Sequence, residues 1–408
     1  MFWSWVMLLL IACSFTAEGQ SYGYSITGGK SSVTIPFELR NYLIILKVSV
    51  NGSKPLNFIL DSGSRNTFLL KPELKDSLSL QPSGQIFVLG AGLKDTVVAD
   101  VIRGVNLSTG LLNGKFQSVL VLNKELPEIS EMLGVDIHGI LGADLFNRFA
   151  IRVNYKKRRI TFLHPDDLKP GMGFQELPVE VANNKGYINT LIYNEWNQPK
   201  TAKMMLDCGA SLAMMFNFSE DEDDVYPLFS EYIPSEIGIG LAGVIPGYVG
   251  RLYSAQIGVY PLFNIIISAV PTTRADDYFL NERDGLIGGE VLSRFHIWYN
   301  FPSSKTYIKP ARGWDKPFNY DRSGIIWMSK RDEDGNAVVR QVIIKSPAYE
   351  AGIQGGDVVT TINGKPVKNL SNADISQMLR SSSKKTFTIE VFRNDEALKF
   401  KLKLKDYF

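Results

Sequence analysis

The sequence predicts a mainly β chain: two equivalent β-rich units facing each other across a pseudo-twofold axis, then a small α+β module. Three observations carry that expectation. The segment Phe58-Ile-Leu-Asp-Ser-Gly-Ser64 returns as Met204-Met-Leu-Asp-Cys-Gly-Ala210, so Asp61 and Asp207 stand 146 positions apart. Gly139-Ile-Leu-Gly-Ala-Asp-Leu-Phe-Asn-Arg-Phe149 returns as Gly285-Leu-Ile-Gly-Gly-Glu-Val-Leu-Ser-Arg-Phe295 at the same offset. One offset shared by two separated motifs marks a duplication, here over about residues 30–165 and 175–312. Third, the texture changes near residue 317, and 408 residues suffice for two or three domains at roughly 150 each. The chain therefore divides into 1–19, 20–165, 166–315 and 316–408.

Composition narrows the function classes. With 45% hydrophobic and 21% charged residues the chain is globular rather than disordered. A net charge of +2 leaves no footprint for nucleic acid. Two cysteines and three histidines exclude a disulfide scaffold and argue against a His/Cys metal cage, so no cofactor is expected.

The first segment, Met1 to Ala17, carries no charged side chain, and its apolar run Trp5–Cys13 is too short to span a bilayer but suits an export signal. Two processing readings stand. Ala17-Glu18-Gly19 is an A-x-A-like cleavage site that would leave Gln20 first. Leu10-Ile11-Ala12-Cys13 instead resembles a lipoprotein box, with a lipid anchor on Cys13. Either way the chain is exported to the periplasm or cell envelope, and Cys208 is left without a partner for an intrachain disulfide.

In the first unit, Leu43–Asn51 alternates as a strand and turns at Asn51-Gly52, a strong hairpin signal. Leu56–Leu60 is a short apolar strand running into Asp61. Ala143–Phe149 fits a short helix with Leu145, Phe146 and Phe149 on one side. Ala150–Tyr155 and its counterpart His296–Phe301 read as strands, and Tyr155-Lys-Lys-Arg-Arg159 as a charged turn. The acidic run Ser219–Asp224 does not fit a calcium loop; Ser219 with Glu222 reads as a capping box opening a helix. In the last module, Ser346–Ala351 begins a short helix, Asn363-Gly364 is a tight turn, and Ser371–Leu379 is a helix capped by Ser371 with Ile375, Met378 and Leu379 apolar. Phe400, Leu402 and Leu404 alternate with lysines, as in a strand with one wet face.

A carboxylate followed by a small residue and glycine suits a tight turn after a strand. Two such loops facing each other would bring Asp61 and Asp207 together. Two touching carboxylates share one proton. One can then act as general base on a water while the other polarises a carbonyl.

These motifs resemble the Asp-Thr/Ser-Gly signature of aspartic peptidases. Ile140-Leu141-Gly142 and Leu286-Ile287-Gly288 resemble the hydrophobic-hydrophobic-Gly element that supports each loop. Val33–Leu39, followed by Asn51-Gly52, is similar to the opening of bacterial retropepsin-like domains. The resemblance spans roughly residues 30–312 and implies two β lobes on one chain, monomeric as a catalytic unit, with a peptide or protein substrate in the cleft. It implies catalytic Asp61 and Asp207, supported by Ser62, Gly63, Ser64, Cys208, Gly209, Gly142 and Gly288. It also implies flaps, which fall at Leu89–Gly92 and Gly238–Gly243. At the residue after each aspartate the family places a hydroxyl that bonds across the lobe interface. Ser62 keeps it, and Cys208 offers only a weak S–H donor. Ser64 can bond near Asp61 and Ala210 cannot, so the two loops are inequivalent.

Ser346–Ile353, Gly356–Val359 and Ile362–Val367 resemble a PDZ domain closely. That resemblance implies capture of peptide C-termini, with Gly324, Ile325 and Ile326 at the carboxylate-holding loop and Ile375 and Met378 on the helix forming the other wall. Two further readings stay open: a non-catalytic envelope protein that only binds peptides, and a carboxylate-pair glycosidase, which the PDZ-like module disfavours.

Overall fold

The structure is a computed structural model and describes residues 23–90, 96–219, 232–272, 283–328, 331–380 and 385–406. The leader with Cys13, residues 91–92 of the first flap segment and residues 220–224 of the acidic run lie outside the described residues.

In the first lobe Leu43–Val50 turns through Asn51 (φ 48°) and Gly52 (φ 80°) and pairs antiparallel with Leu56–Leu60. The expected alternation of Leu43–Val50 fails at its start, where Leu43, Ile44, Ile45 and Leu46 are all buried. Ile44 and Leu46 enter the main core, while Leu43 and Ile45 join a second apolar cluster with Phe68, Leu120 and Leu133. A strand covered on both faces has no polar side to write into the sequence.

The repeat is kept in register as well as in sequence. Phe58–Leu60 pairs parallel with Gly139–Leu141, and Met204–Leu206 pairs parallel with Gly285–Ile287. The helices Asp144–Arg148 and Gly289–Leu292 follow at matching places. Next, strands Ala150–Asn154 and Phe295–Asn300 pair with each other, Ile151 opposite Tyr299 and Val153 opposite Ile297. Outward from this seam one lobe adds Arg159–Leu163 and Ser32–Pro36, the other Lys305–Pro310 and Gln175–Pro178. One six-stranded sheet thus belongs to both lobes, and a single apolar core runs through both.

Each lobe carries a long hairpin. In lobe 1 it is built from Pro82–Leu89 and Thr96–Thr109, in lobe 2 from Tyr232–Gly240 and Gly243–Ile257. The hairpins meet: a Cβ on Gly90 would collide with the Ala242 methyl. Ile239 and Leu241 of the second hairpin pack against the lobe 1 cluster.

The C-terminal module has its own core around Val339, Val359, Ile375, Phe387 and Leu402. Its sheet runs Ile325–Trp327, Ala337–Val342, Val358–Ile362, Thr386–Arg393, Glu396–Lys403, with helices Pro347–Ala351 and Asn372–Leu379. Ser371 caps the second helix: its hydroxyl accepts from Asp374 N at 3.1 Å, and the Asp374 carboxylate accepts from Ser371 N at 3.0 Å. The module is docked on the lobes. Gly134, at the end of the lobe 1 helix Pro127–Leu133, lies under Ser371, and Arg340 pairs with Glu236 of the lobe 2 hairpin.

Candidate active site

Each aspartate sits where a strand gives way to a tight loop. Asp61 N donates to Leu141 O at 2.9 Å and Asp207 N to Ile287 O at 3.0 Å, so the two carboxyls leave their sheets at equivalent points. The loops are clamped from below at matching positions: Ala143 N donates to Ser64 O at 2.8 Å, Gly289 N to Ala210 O at 2.7 Å. Gly142 and Gly288 lie so close to these turns that a side chain would strike Asn66 O or Leu212 O.

The two loops face each other. A Cβ on Gly63 would fall 2.6 Å from Asp207 Cγ, and one on Gly209 would collide with the Asp61 carboxyl. Each carboxyl therefore lies over the glycine of the opposite loop, and close approach rather than backbone freedom is what demands glycine here. Behind them the loops are laced together. Ser62 Oγ donates to Leu206 O at 2.8 Å and accepts from Cys208 N at 3.0 Å, while Cys208 Sγ donates to Leu60 O at 3.3 Å. Cys208 is wholly buried, and burial pushes its thiol up to about 12, so it is a neutral donor and no nucleophile.

The inequivalence runs through the backbone too. Asp61 Oδ1 accepts from Gly63 N at 2.7 Å and Ser64 N at 2.9 Å; Asp207 Oδ1 accepts from Gly209 N at 2.8 Å. The Ser64 hydroxyl, expected near Asp61, instead donates to Asn66 O at 2.8 Å, because the turn aims it along the loop. The loop after Asp207 is also one residue longer. Ile140 pairs with Phe68 in lobe 1, but its counterpart Leu286 pairs with Met215.

Burial, then the charge of Asp207, holds the Asp61 carboxyl well above the ordinary aspartate range, against the pull of the Gly63 amide. Burial raises Asp207 as well, opposed by the Gly209 amide and the positive charge of Arg283. The pair thus retains a proton at pH values where a solvated carboxyl has lost it.

Two cations near the pair were not singled out in the sequence. Arg283 lies half-buried beside Met205, its Nη1 2.9 Å from the sulfur, and desolvation lowers its pKa while Tyr187 and Asp207 raise it. Lys185 is lowered by burial and by Arg283, and raised by both aspartates. Aligning the repeats at their constant offset shows the signal. Arg283 replaces Ile137 and Lys185 replaces Leu39 at positions that are apolar in lobe 1.

In the C-terminal module Gly324 has φ 75°, and a Cβ there would collide with Ser346. Ile325 and Ile326 begin the strand beside it and line a cavity. Ile375 and Met378 do not line it. Ile375 is fully buried in the module core and Met378 packs against that core, while Asn372, Ser376 and Arg380 line the cavity. The helical period explains the difference, since residues four apart share a face and the apolar set takes the inner one.

Residues 46–145 match the family model of aspartyl proteases, a span that includes the Asp61 loop and its supporting strand. Residues 324–404 match the model of the PDZ domain. The chain thus carries an aspartyl-protease-type match in its first lobe and a PDZ domain at residues 324–404. Among solved structures, an aspartic proteinase from Irpex lacteus is 13% identical, with a TM-score of 0.42, over 69% of this chain and 97% of that one. Basic 7S globulin from soybean is 10% identical, with a TM-score of 0.41, over 71% of this chain and 99% of that one. Neither likeness bears on chemistry. The two lobes supply the carboxyl pair, and the PDZ domain contributes neither aspartate.

Proposed function

We propose that the chain is an exported aspartic endopeptidase in which Asp61 and Asp207 share one proton and one water. The observation that supports this reading is reciprocal: each carboxyl lies over the glycine of the opposite loop. Arg283 stabilises the charge on Asp207, and on this reading Asp61 is the protonated member. Asp207 then takes a proton from the water as it attacks the scissile carbonyl carbon, and Asp61 donates its hydrogen bond to the carbonyl oxygen. In the tetrahedral intermediate the new C–O bond is made. Collapse breaks the C–N bond, the proton held on Asp207 passes to the leaving amine, and Asp61 keeps its own proton, so the pair ends as it began with one proton. The two hairpins meet at Gly90 and Ala242, and on this reading they act as flaps that keep bulk water from the carboxyls.

On this reading the PDZ domain captures peptide C-termini, and export follows from the apolar leader, with Cys13 as the alternative lipid anchor. A specific observation favours the rival, a peptide-binding protein without turnover: Cys208 and the single amide on Asp207 make that loop the weaker one. Incubating the mature chain with a peptide library, with and without pepstatin, separates the two. Pepstatin-sensitive cleavage that disappears in Asp61→Asn supports the peptidase. Peptide binding without any cleavage between pH 3 and 8 supports the rival.

A further inference from the structure

A cavity of about 360 Å³ lies where the lobe 2 hairpin meets the PDZ domain. One wall is the flap strand from Ser235 to Ile239, the other is Ile325–Trp327, and Asn372, Ser376 and Arg380 close it from the helix. In a strand, successive side chains leave on opposite faces. A wall that includes consecutive residues is therefore reached along the edge of a strand, while Ile233, Val249 and Ser268, neighbours across the sheet, floor the cavity with its face. Both walls are edges by topology as well. Among the described residues the flap strand Tyr232–Gly240 pairs only with Gly243–Ile257, and Ile325–Trp327 only with Ala337–Val342. Two strand edges with backbone groups left to pair thus flank one cavity, of a size that suits a ligand site.

The lining specifies the occupant. Ile237, Ile239, Ile325 and Trp327 supply apolar surface, and backbone edges on both sides suit an extended chain. At the far end of the helix Arg380 lines the cavity with its Nε buried and without a hydrogen-bond partner; the rest of its guanidinium faces Tyr42, Glu290 and Asp321, so Nε is the donor left for an anionic terminus. The flap is also tied to the module by the Glu236–Arg340 ion pair, and Ser211 and Leu212 of the loop that carries Asp207 line the same cavity.

We propose that this cavity takes the C-terminal segment of a polypeptide as an extended strand shared by the lobe 2 flap and the PDZ domain, so that capture of a peptide by one fixes the other. The proposal rests on the PDZ domain reading peptide termini, but not on the carboxyl pair being active. Its consequence is that a captured terminus acts on the flap directly. The tip of that flap, at Ala242, meets Gly90.

The test uses the full chain with Asp61→Asn to prevent turnover, or Asp207→Asn if the first variant does not fold. The probes are acetylated octapeptides ending in Ala, Val, Leu or Phe, each as the free acid and as the amide. Hydrogen–deuterium exchange is followed over residues 232–240 and 325–327. At least one free acid is expected to slow exchange about tenfold or more in both segments, with its amide much weaker and Arg380→Gln removing the difference. Protection of 325–327 alone would overturn the shared strand. Equal protection by acid and amide would overturn the anionic terminus, and no protection by any peptide in the set would overturn the proposal whole. Hydrolysis is not read in this experiment, so an inactive carboxyl pair leaves its outcome intact.

Discussion

The loops of Asp61 and Asp207 occupy equivalent places and are held differently. Asp61 accepts two backbone amides and its neighbour Ser62 bonds across the interface through oxygen; Asp207 accepts one, and its neighbour Cys208 reaches across through sulfur. The clamps beneath them are the same. Duplication has thus preserved what places the carboxyls and relaxed what tunes them, so one loop is a rigid acceptor frame and the other answers to a nearby cation, Arg283. Asymmetry of this kind lets two chemically identical groups take different protonation states.

Removing either carboxyl should have the largest effect. Asp61→Asn and Asp207→Asn are each expected to lower kcat about a thousandfold or more, because members of a unit do not contribute additively. A rate for either single variant within tenfold of wild type in a peptide assay would sink the shared-water mechanism.

Next in size is the effect of the glycines. Gly63→Ala and Gly209→Ala each place a methyl against the opposite carboxyl and should cost about 1–3 kcal/mol of stability, read from chemical denaturation, together with most of the activity. If one is tolerated and the other is not, the loops differ in compliance as well as in hydrogen bonding.

Protonation gives a smaller, directional test. The folded pKa of Asp61 is raised, so its stability contribution is fully present below the ordinary aspartate value of about 3.9 and is lost as pH rises through the raised value. Thermal midpoints of wild type should therefore fall, relative to Asp61→Asn, from pH 4 towards neutrality. Arg283→Leu removes the charge that favours ionised Asp207, so the acid limb of the activity profile should move to higher pH. An unmoved limb would mean that Arg283 only packs.

The smallest effect is at Cys208. Cys208→Thr exchanges an S–H donor for an O–H donor and should stabilise by about 0.5–1.5 kcal/mol while keeping or raising activity. Loss of hydrolysis in Cys208→Thr, with Asp207→Asn still active, would point to a thiol mechanism.

Much of this was legible in the sequence because a duplication prints the same spacing twice. The paired aspartates, their supporting strands and the hairpin at Asn51-Gly52 all follow from local motifs. Three features did not. The burial of Leu43–Leu46 on both faces depends on a second cluster assembled from distant strands. The direction of the Ser64 hydroxyl depends on the conformation of one turn. Ile375 and Met378 carried an apolar signal that two different sides of the helix could claim, and core packing won it. Arg283 and Lys185 were readable only as departures from the repeat, since a single charged residue among apolar ones carries no instruction of its own.

The seam between Ala150–Asn154 and Phe295–Asn300 bears on how the chain comes to be folded. Its partners lie just over a third of the chain apart, and a contact of that range forms slowly because the intervening loop must first be closed. During synthesis lobe 1 is complete long before its partner strand exists. For that interval Ala150–Asn154 is an open edge whose Ile151 and Val153 side chains are fully buried once the seam is made. Such an edge is a template for wrong partners, a second nascent copy among them. Refolding yield should accordingly fall as protein concentration rises, and a charged substitution confined to that edge would trade the native seam for solubility of the half-made chain.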